Sequence, residues 1–360
     1  MKGPLRNRAR TATVLALASL ALLATLVLAA CGGSDAADSA SPNQAAVSLS
    51  VTASPSGIPL PTPTVAGTIA FTRYLEEQGE GEICIVNTDG TGLKTLAGGR
   101  DWAQCPSWSP DGKKIAYYVS DSWRDNSEVW VMNADGSGKV QLTERRVHGG
   151  RVQRNIWPSW SPDGTQIVFT DNSEGARDGL YVMNADGSGA RRLTRTPIAD
   201  YWPTWGKDGK ISFYRPSSDG LTLSKFSVNP DGSGLMLLSK EAGAIDLEWV
   251  KYELGLSPDG ETVARHEVET DRLVVVPVHG GGNPVTLLDP VAAYMQGPSF
   301  MPTVLGPSVD VTWSPDGKSL AIAGQSETAF SRLYIVNADG SGLSAVPGVD
   351  NAKEPAWRAE

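Results

Sequence analysis

The sequence predicts an all-β protein built as a ring of six four-stranded blades, a β-propeller, and three observations predict it. A Trp-Ser-Pro-Asp-Gly motif recurs along the chain, a second turn motif of the form Asn-Ala-Asp-Gly-Ser-Gly alternates with it, and the composition is rich in turn formers, with 39 Gly and 24 Pro among 360 residues. Self-similarity at a fixed period is the signature of repeat architectures, which are misread when taken element by element. At 360 residues and 40% hydrophobic content, the chain can bury the core that one large all-β domain requires.

The first motif stands at Trp108-Ser109-Pro110-Asp111-Gly112, Trp160-Ser161-Pro162-Asp163-Gly164 and Trp313-Ser314-Pro315-Asp316-Gly317. Altered copies occur at Trp205-Gly206-Lys207-Asp208-Gly209 and Leu256-Ser257-Pro258-Asp259-Gly260, and a stub, Pro355-Ala356-Trp357, lies near the end. Successive Trp or Leu positions are 52, 45, 51, 57 and 44 residues apart. That is the length of a four-stranded blade with slack in its loops. Each copy leads into an apolar alternation such as Lys114-Ile115-Ala116-Tyr117-Tyr118, then a variable stretch, then Val129-Trp130-Val131-Met132 and the second turn, and finally Val140-Gln141-Leu142-Thr143. Each unit therefore predicts four strands.

The turns explain themselves without a ligand. In Ser-Pro-Asp-Gly, proline presets φ at the second position, aspartate suits the third, and glycine takes the left-handed conformation that closes the hairpin. Neither the Lys-Ser/Thr of a phosphate loop nor the spaced acids of a calcium loop accompanies the Asp-Gly-Ser-Gly copies. The chain opens on Thr68-Ile69-Ala70-Phe71-Thr72, Ile83-Cys84-Ile85-Val86 and Leu93-Lys94-Thr95-Leu96, three strands of a blade lacking its first. Pro355-Ala356-Trp357 supplies that first strand, so the closing blade is shared by the N- and C-terminal strands and the ring has no open edge between its ends.

Ahead of the repeats, Lys2, Arg6, Arg8 and Arg10 precede an apolar run from Thr13 to Ala30 that ends Leu28-Ala29-Ala30-Cys31-Gly32. Residues 1–30 read as a signal peptide. The competing reading is an uncleaved transmembrane helix, since the run approaches spanning length. Leu-Ala-Ala-Cys resembles the lipobox of bacterial lipoproteins, and the resemblance implies acylation of Cys31, which becomes the new N-terminus and ties the protein to membrane lipid. Residues 31–66 are dominated by Ser, Ala, Asp, Pro and Thr and hold no aromatic. Such a stretch cannot bury enough surface to offset its ordering entropy and reads as a disordered spacer, which would hold the domain on the order of 30 Å from the lipid. Residues 67–360 are the expected propeller, facing the extracytoplasmic side of the cell membrane.

The units resemble the WD-type repeats of the TolB-like propeller family across roughly residues 67 to 358. That resemblance implies a periplasmic protein-binding platform. Related propellers precede the hydrolase domain of the prolyl oligopeptidase family, and no such domain is expected here, because the chain stops at Glu360.

Loss of the four N-terminal cations takes the formal charge from −9 to −13, so nucleic acid is not an expected partner. The three histidines, His148, His266 and His279, fall in different repeats, and neither a Gly-x-Ser-x-Gly elbow nor a His-x-x-x-His pair occurs. No catalytic residue is assigned and no enzyme is expected. With the turns on one face, the variable loops share the other, where function would be grafted. Arg124, Arg151, Arg154, Trp157, Tyr201, Trp202 and Tyr252 form the expected binding face, since arginine and aromatics anchor partners best.

The position three before each Trp or Leu holds Cys105, Trp157, Trp202, Glu253, Asp310 and Glu354. Glu253, Asp310 and Glu354 would stand near one channel mouth, either holding a cation such as calcium or a basic group, or as hydrated acids facing water. Cys84 and Cys105 either form a disulfide, which an exported location permits, or remain buried thiols. The expectation is a monomeric, non-catalytic lipoprotein without a cofactor, binding a cell-envelope protein or other component. The alternative is a carbohydrate-binding or carbohydrate-cleaving propeller.

Overall fold

The computed structural model describes residues 66–75, 80–99, 102–121, 126–144, 154–172, 179–196, 200–217, 222–242, 253–267, 272–277, 283–288, 309–324 and 332–358. Every element it describes is a strand, and the strands form six antiparallel sheets of four. The first blade holds β1 (Thr68–Leu75), β2 (Glu80–Asn87) and β3 (Lys94–Ala97), and the second β4 (Trp102–Trp108), β5 (Lys114–Ser120), β6 (Ser127–Asn133) and β7 (Val140–Gln141). The third holds β8 (Asn155–Trp160), β9 (Gln166–Asp171), β10 (Gly179–Asn184) and β11 (Arg191–Arg192). The fourth holds β12 (Tyr201–Trp205), β13 (Ile211–Pro216), β14 (Thr222–Val228) and β15 (Met236–Ala242). The fifth holds β16 (Glu253–Leu256), β17 (Thr262–Glu267), β18 (Arg272–Pro277) and β19 (Val285–Leu288). The sixth holds β20 (Val309–Trp313), β21 (Ser319–Gly324), β22 (Arg332–Asn337) and β23 (Ser344–Asp350). Last comes β24 (Ala352–Trp357), which pairs with β1, Ile69 opposite Trp357 and Thr72 opposite Lys353. The two ends of the chain thus complete one blade, as the split repeat predicts.

The hairpins follow the turn chemistry. Ser109 Oγ donates to Asp111 Oδ1 at 2.7 Å, and the Lys113 N–H donates to the same oxygen at 3.1 Å. Gly112 closes the turn at φ 64°, where a Cβ would be strained. In the second turn the Ser137 N–H donates to Asp135 Oδ1 at 2.8 Å. The Ala134 N–H then donates to the Lys113 carbonyl at 2.8 Å, so the two turn types of a blade lie side by side on one face. The same bond recurs from Ala185 to Thr165 and from Ala338 to Lys318.

Alternation along the middle strands gives each blade two apolar walls. In the second blade Ile115 and Tyr117 pack toward the first, while Ala116, Val129 and Val131 pack toward the third. Five such joints carry a core cluster among the described residues, joining the first blade to the second, second to third, third to fourth, fifth to sixth and sixth to first. The motif tryptophans staple three of them. Trp108, Trp160 and Trp313 donate their indole N–H to the carbonyls of Ala356, Ser107 and Gly255 on the preceding inner strand, at 3.2, 3.1 and 3.0 Å.

The disulfide weighed from the sequence is not formed: Cys84 and Cys105 are not bonded to each other. Cys84 pairs with Phe71 in register and belongs to the cluster shared with the sixth blade. Cys105 belongs to the second blade, on the other side, so the direction of the two strands matches while the faces do not.

Candidate functional site

Each motif Trp ends its inner strand at the turn face, so the residue three before it lies about 10 Å further along, toward the opposite rim. At that position Cys105, Trp157, Trp202 and Glu354 all adopt left-handed φ values, of 51°, 55°, 49° and 52°. A register shift at the same place marks a β-bulge in each of these strands. The fifth blade shifts likewise between Glu253 and Gly255, whereas β20 pairs with β21 without a shift, and Asp310 sits opposite Ala323 in regular strand. A bulge re-aims its side chain, and left-handed backbone at a bulky residue costs on the order of 1–2 kcal/mol. The rim positions are therefore held by the ring rather than chosen by the residues.

The rim divides chemically. On one side the carboxylates stitch blades together: the Glu354 N–H donates to Asp310 Oδ2 at 3.0 Å, and the Cys105 N–H donates to Glu354 Oε2 at 3.0 Å. Thr72 Oγ1 donates to the same Glu354 oxygen at 2.8 Å. Two of the three acids placed at the channel mouth thus accept the bulge amide of the next blade. The third, Glu253, lies in β16 with its side chain outside the described residues. Among the described residues no group of three or more His, Cys, Asp or Glu is placed to hold a metal ion.

On the other side the rim is aromatic. Trp157 and Trp202 lie with ring centroids 5.2 Å apart, and Tyr201 is 5.7 Å from the first and 5.5 Å from the second. Tyr214 continues the cluster 6.2 Å from Trp202, edge to face. All four rings are half-buried. The row is built by register: Tyr201 pairs with Tyr214, which pairs with Lys225, whose Nζ stands 5.4 Å from the Tyr214 ring. Centroid spacings of this kind are those of favourable offset and edge-on packing. The four rings offer contiguous apolar surface with polar tips, the chemistry that anchors a protein segment or stacks a sugar.

Three of the seven residues expected on the binding face, Trp157, Tyr201 and Trp202, are thus brought together. Arg154 is close in sequence and bridges to Ser127 of the second blade, with its guanidinium Nε buried and without a hydrogen-bond partner. Arg124, Arg151 and Tyr252 lie outside the described residues, as does Cys31. Tyr214 was not expected. The signal for it was the hairpin register, which sets it opposite Tyr201.

The turn face is electrostatically distinct. Asp89, Asp111, Asp135, Asp163, Asp186, Asp231, Asp259, Asp316 and Asp339 each have their carboxyl held below the usual range, first by a Ser or Thr hydroxyl and then by a backbone N–H of the turn. These acids are occupied by their own hairpins.

The repeats, the closed ring and the bulged inner strands define a six-bladed β-propeller. The family model of the TolB beta propeller domain matches residues 64–360, and the chain belongs to that family. The Tol-Pal system protein TolB of Anaeromyxobacter dehalogenans (strain 2CP-C) is 36% identical over 124 residues, 34% of this chain and 26% of that protein. A protein of Bacillus subtilis (strain 168) named uncharacterized peptidase YuxL is 36% identical over 98 residues, 26% of this chain and 14% of its own length. The matches therefore span about a quarter of these relatives or less. The crystal structure of TolB from Acinetobacter baumannii shares the fold, with a TM-score of 0.59 at 22% identity over 81% of this chain and 66% of that one.

Proposed function

We propose that this protein is an extracytoplasmic binding platform, tethered to membrane lipid through Cys31, whose propeller holds a cell-envelope protein against its aromatic rim. The observation that carries the reading is the cluster of Trp157, Tyr201, Trp202 and Tyr214, only partly buried and assembled from two blades. Large rings at low entropic cost are what binding hot spots are made of. A core role for these rings is disfavoured by their exposure, since the aromatics that seal the joints, Phe71, Tyr117 and Phe213, are almost wholly buried. The Tol-Pal system name carried by one relative supports an envelope setting. No nucleophile, general base or metal set is assigned, and the role is non-catalytic.

The test is affinity capture from envelope fractions with wild type and with a Trp157→Ala/Trp202→Ala variant. The account predicts one retained envelope protein, lost at least tenfold in the variant while both melt alike. Retention of a saccharide instead of a protein, or its cleavage, would replace this reading with a carbohydrate-directed one.

A further inference from the structure

One joint of the ring departs from the rest. The cross-strand pair at the wall facing the next blade is Ala70 with Ile85, Ala116 with Val131, Val168 with Val182, Ala264 with Val275 and Ala321 with Ile335. In the fourth blade the same pair is Ser212 with Ser227. The neighbouring position on that wall is Ile83, Val129, Leu180, Leu273 or Leu333, each with no exposed surface, and in the fourth blade it is the half-buried Lys225. Ile211, Phe213 and Val228 turn the other way, into the cluster with the third blade, so Ser212, Ser227 and Lys225 face the fifth, beside the buried pair Pro216 and Leu223.

The opposing wall and the outer strand agree. Where the wall facing back carries Phe71, Tyr117, Phe169, Phe213 or Ile322, the fifth blade carries Arg265, which is exposed. Its motif residue is Leu256, with no indole to donate across the joint. In the outer strands the bulged residues Leu96 and Leu287 are buried at 5% and 4% exposure. Their counterpart Leu238, at the bulge of β15, is 46% exposed, and Leu235, Met236 and Leu237 beside it are 50%, 49% and 52% exposed. Among the described residues no core cluster joins the fourth blade to the fifth.

The geometry points to a split ring: the propeller opens at the joint between the fourth and fifth blades, and this opening exposes the wall that carries Tyr214 and Lys225. Velcro pairing of β24 with β1 closes the ring covalently distant from this point, so the joint that opens is not the one where the chain ends meet. Among the described residues the buried apolar side chains on these two walls are few, Leu223 and Val274 among them, and the joint with the least apolar fill has the smallest free energy of local opening, because burial is the main term holding blade to blade. Since Tyr214 also belongs to the aromatic rim, opening reshapes one end of that surface. This last consequence rests on the rim being the binding site, whereas the opening itself does not.

Hydrogen exchange on the full chain in detergent micelles tests it without any ligand. Amides of β13, β14 and β17 are expected to exchange at least tenfold faster than those of β5, β6, β9 and β10. A variant with Ser212→Ala, Ser227→Val and Lys225→Val, which copies the wall of the second blade, is expected to slow exchange in β13 and β14 toward the level of β5 and β6. Equal protection of these strands in the wild type overturns the proposal whatever the variant does. So does a folded variant whose exchange in β13 and β14 is unchanged.

Discussion

Trp157 and Trp160 stand three residues apart and divide the labour of an inner strand. Trp160 is 6% exposed and donates its indole N–H to Ser107 across a joint, so Trp160→Ala is expected to cost about 3–5 kcal/mol in a denaturant titration. Trp157 is half-buried and sits at a left-handed bulge, so Trp157→Ala is expected to change stability by no more than about 1 kcal/mol. The turn aspartates make a second prediction at this scale. Their folded pKa values are depressed, chiefly by hydroxyl donors of the same turns. A depressed carboxylate stabilises the fold above its unfolded value, near 3.9, and that contribution is lost as pH falls through the folded value. The thermal midpoint should therefore hold from neutrality to about pH 4 and decline below it, and a midpoint that rises on acidification would contradict the assignment. Position three before the motif was legible in the sequence, and so were Trp157 and Trp202. What the sequence could not show was that the bulge amides there are claimed by Asp310 and Glu354, because that bond joins residues 44 apart across two blades.

Among elements, the hairpins were the most legible, since Pro, Asp and Gly at fixed offsets dictate both turn and register. The walls were legible only in part. Ala116 and Val131 can be seen to alternate in the sequence, but that they face the third blade, and that Cys84 faces the sixth, depends on how each sheet is oriented in the ring. That is why strand direction suggested a Cys84–Cys105 bond and the faces deny it. Burial pushes the Cys84 thiol up, so it is expected to resist alkylation in the folded protein while Cys105 reacts. The closing blade carries the strongest element-scale prediction. Truncation before Ala352 removes β24, uncovers the edge of β1 and takes Ala352 and Trp357 from the core cluster between the sixth and first blades. Calorimetry should then show no single cooperative transition, whereas a truncated chain that melts like the full one would refute closure by this strand.

For the whole molecule, the proposed tether and spacer precede a ring with two unlike faces. The tether was read from Leu28-Ala29-Ala30-Cys31 alone. Cys31→Ala is expected to abolish incorporation of a labelled fatty acid and to prevent processing at that site, while leaving the propeller's melting unchanged. The ring was legible because its repeats spell out blades at near-constant spacing. The binding surface was legible only as residue types, because its shape depends on two blades meeting, and Tyr214 entered it through register rather than motif. The central claim is that the aromatic rim, not the turn face, meets the partner. The most direct measurement is photocrosslinking in intact cells, with a benzophenone side chain at Tyr201 on the rim or at Lys139, an exposed residue of the turn face. The account predicts a discrete protein adduct from position 201 and none from position 139. An adduct from 139 with none from 201 would contradict it.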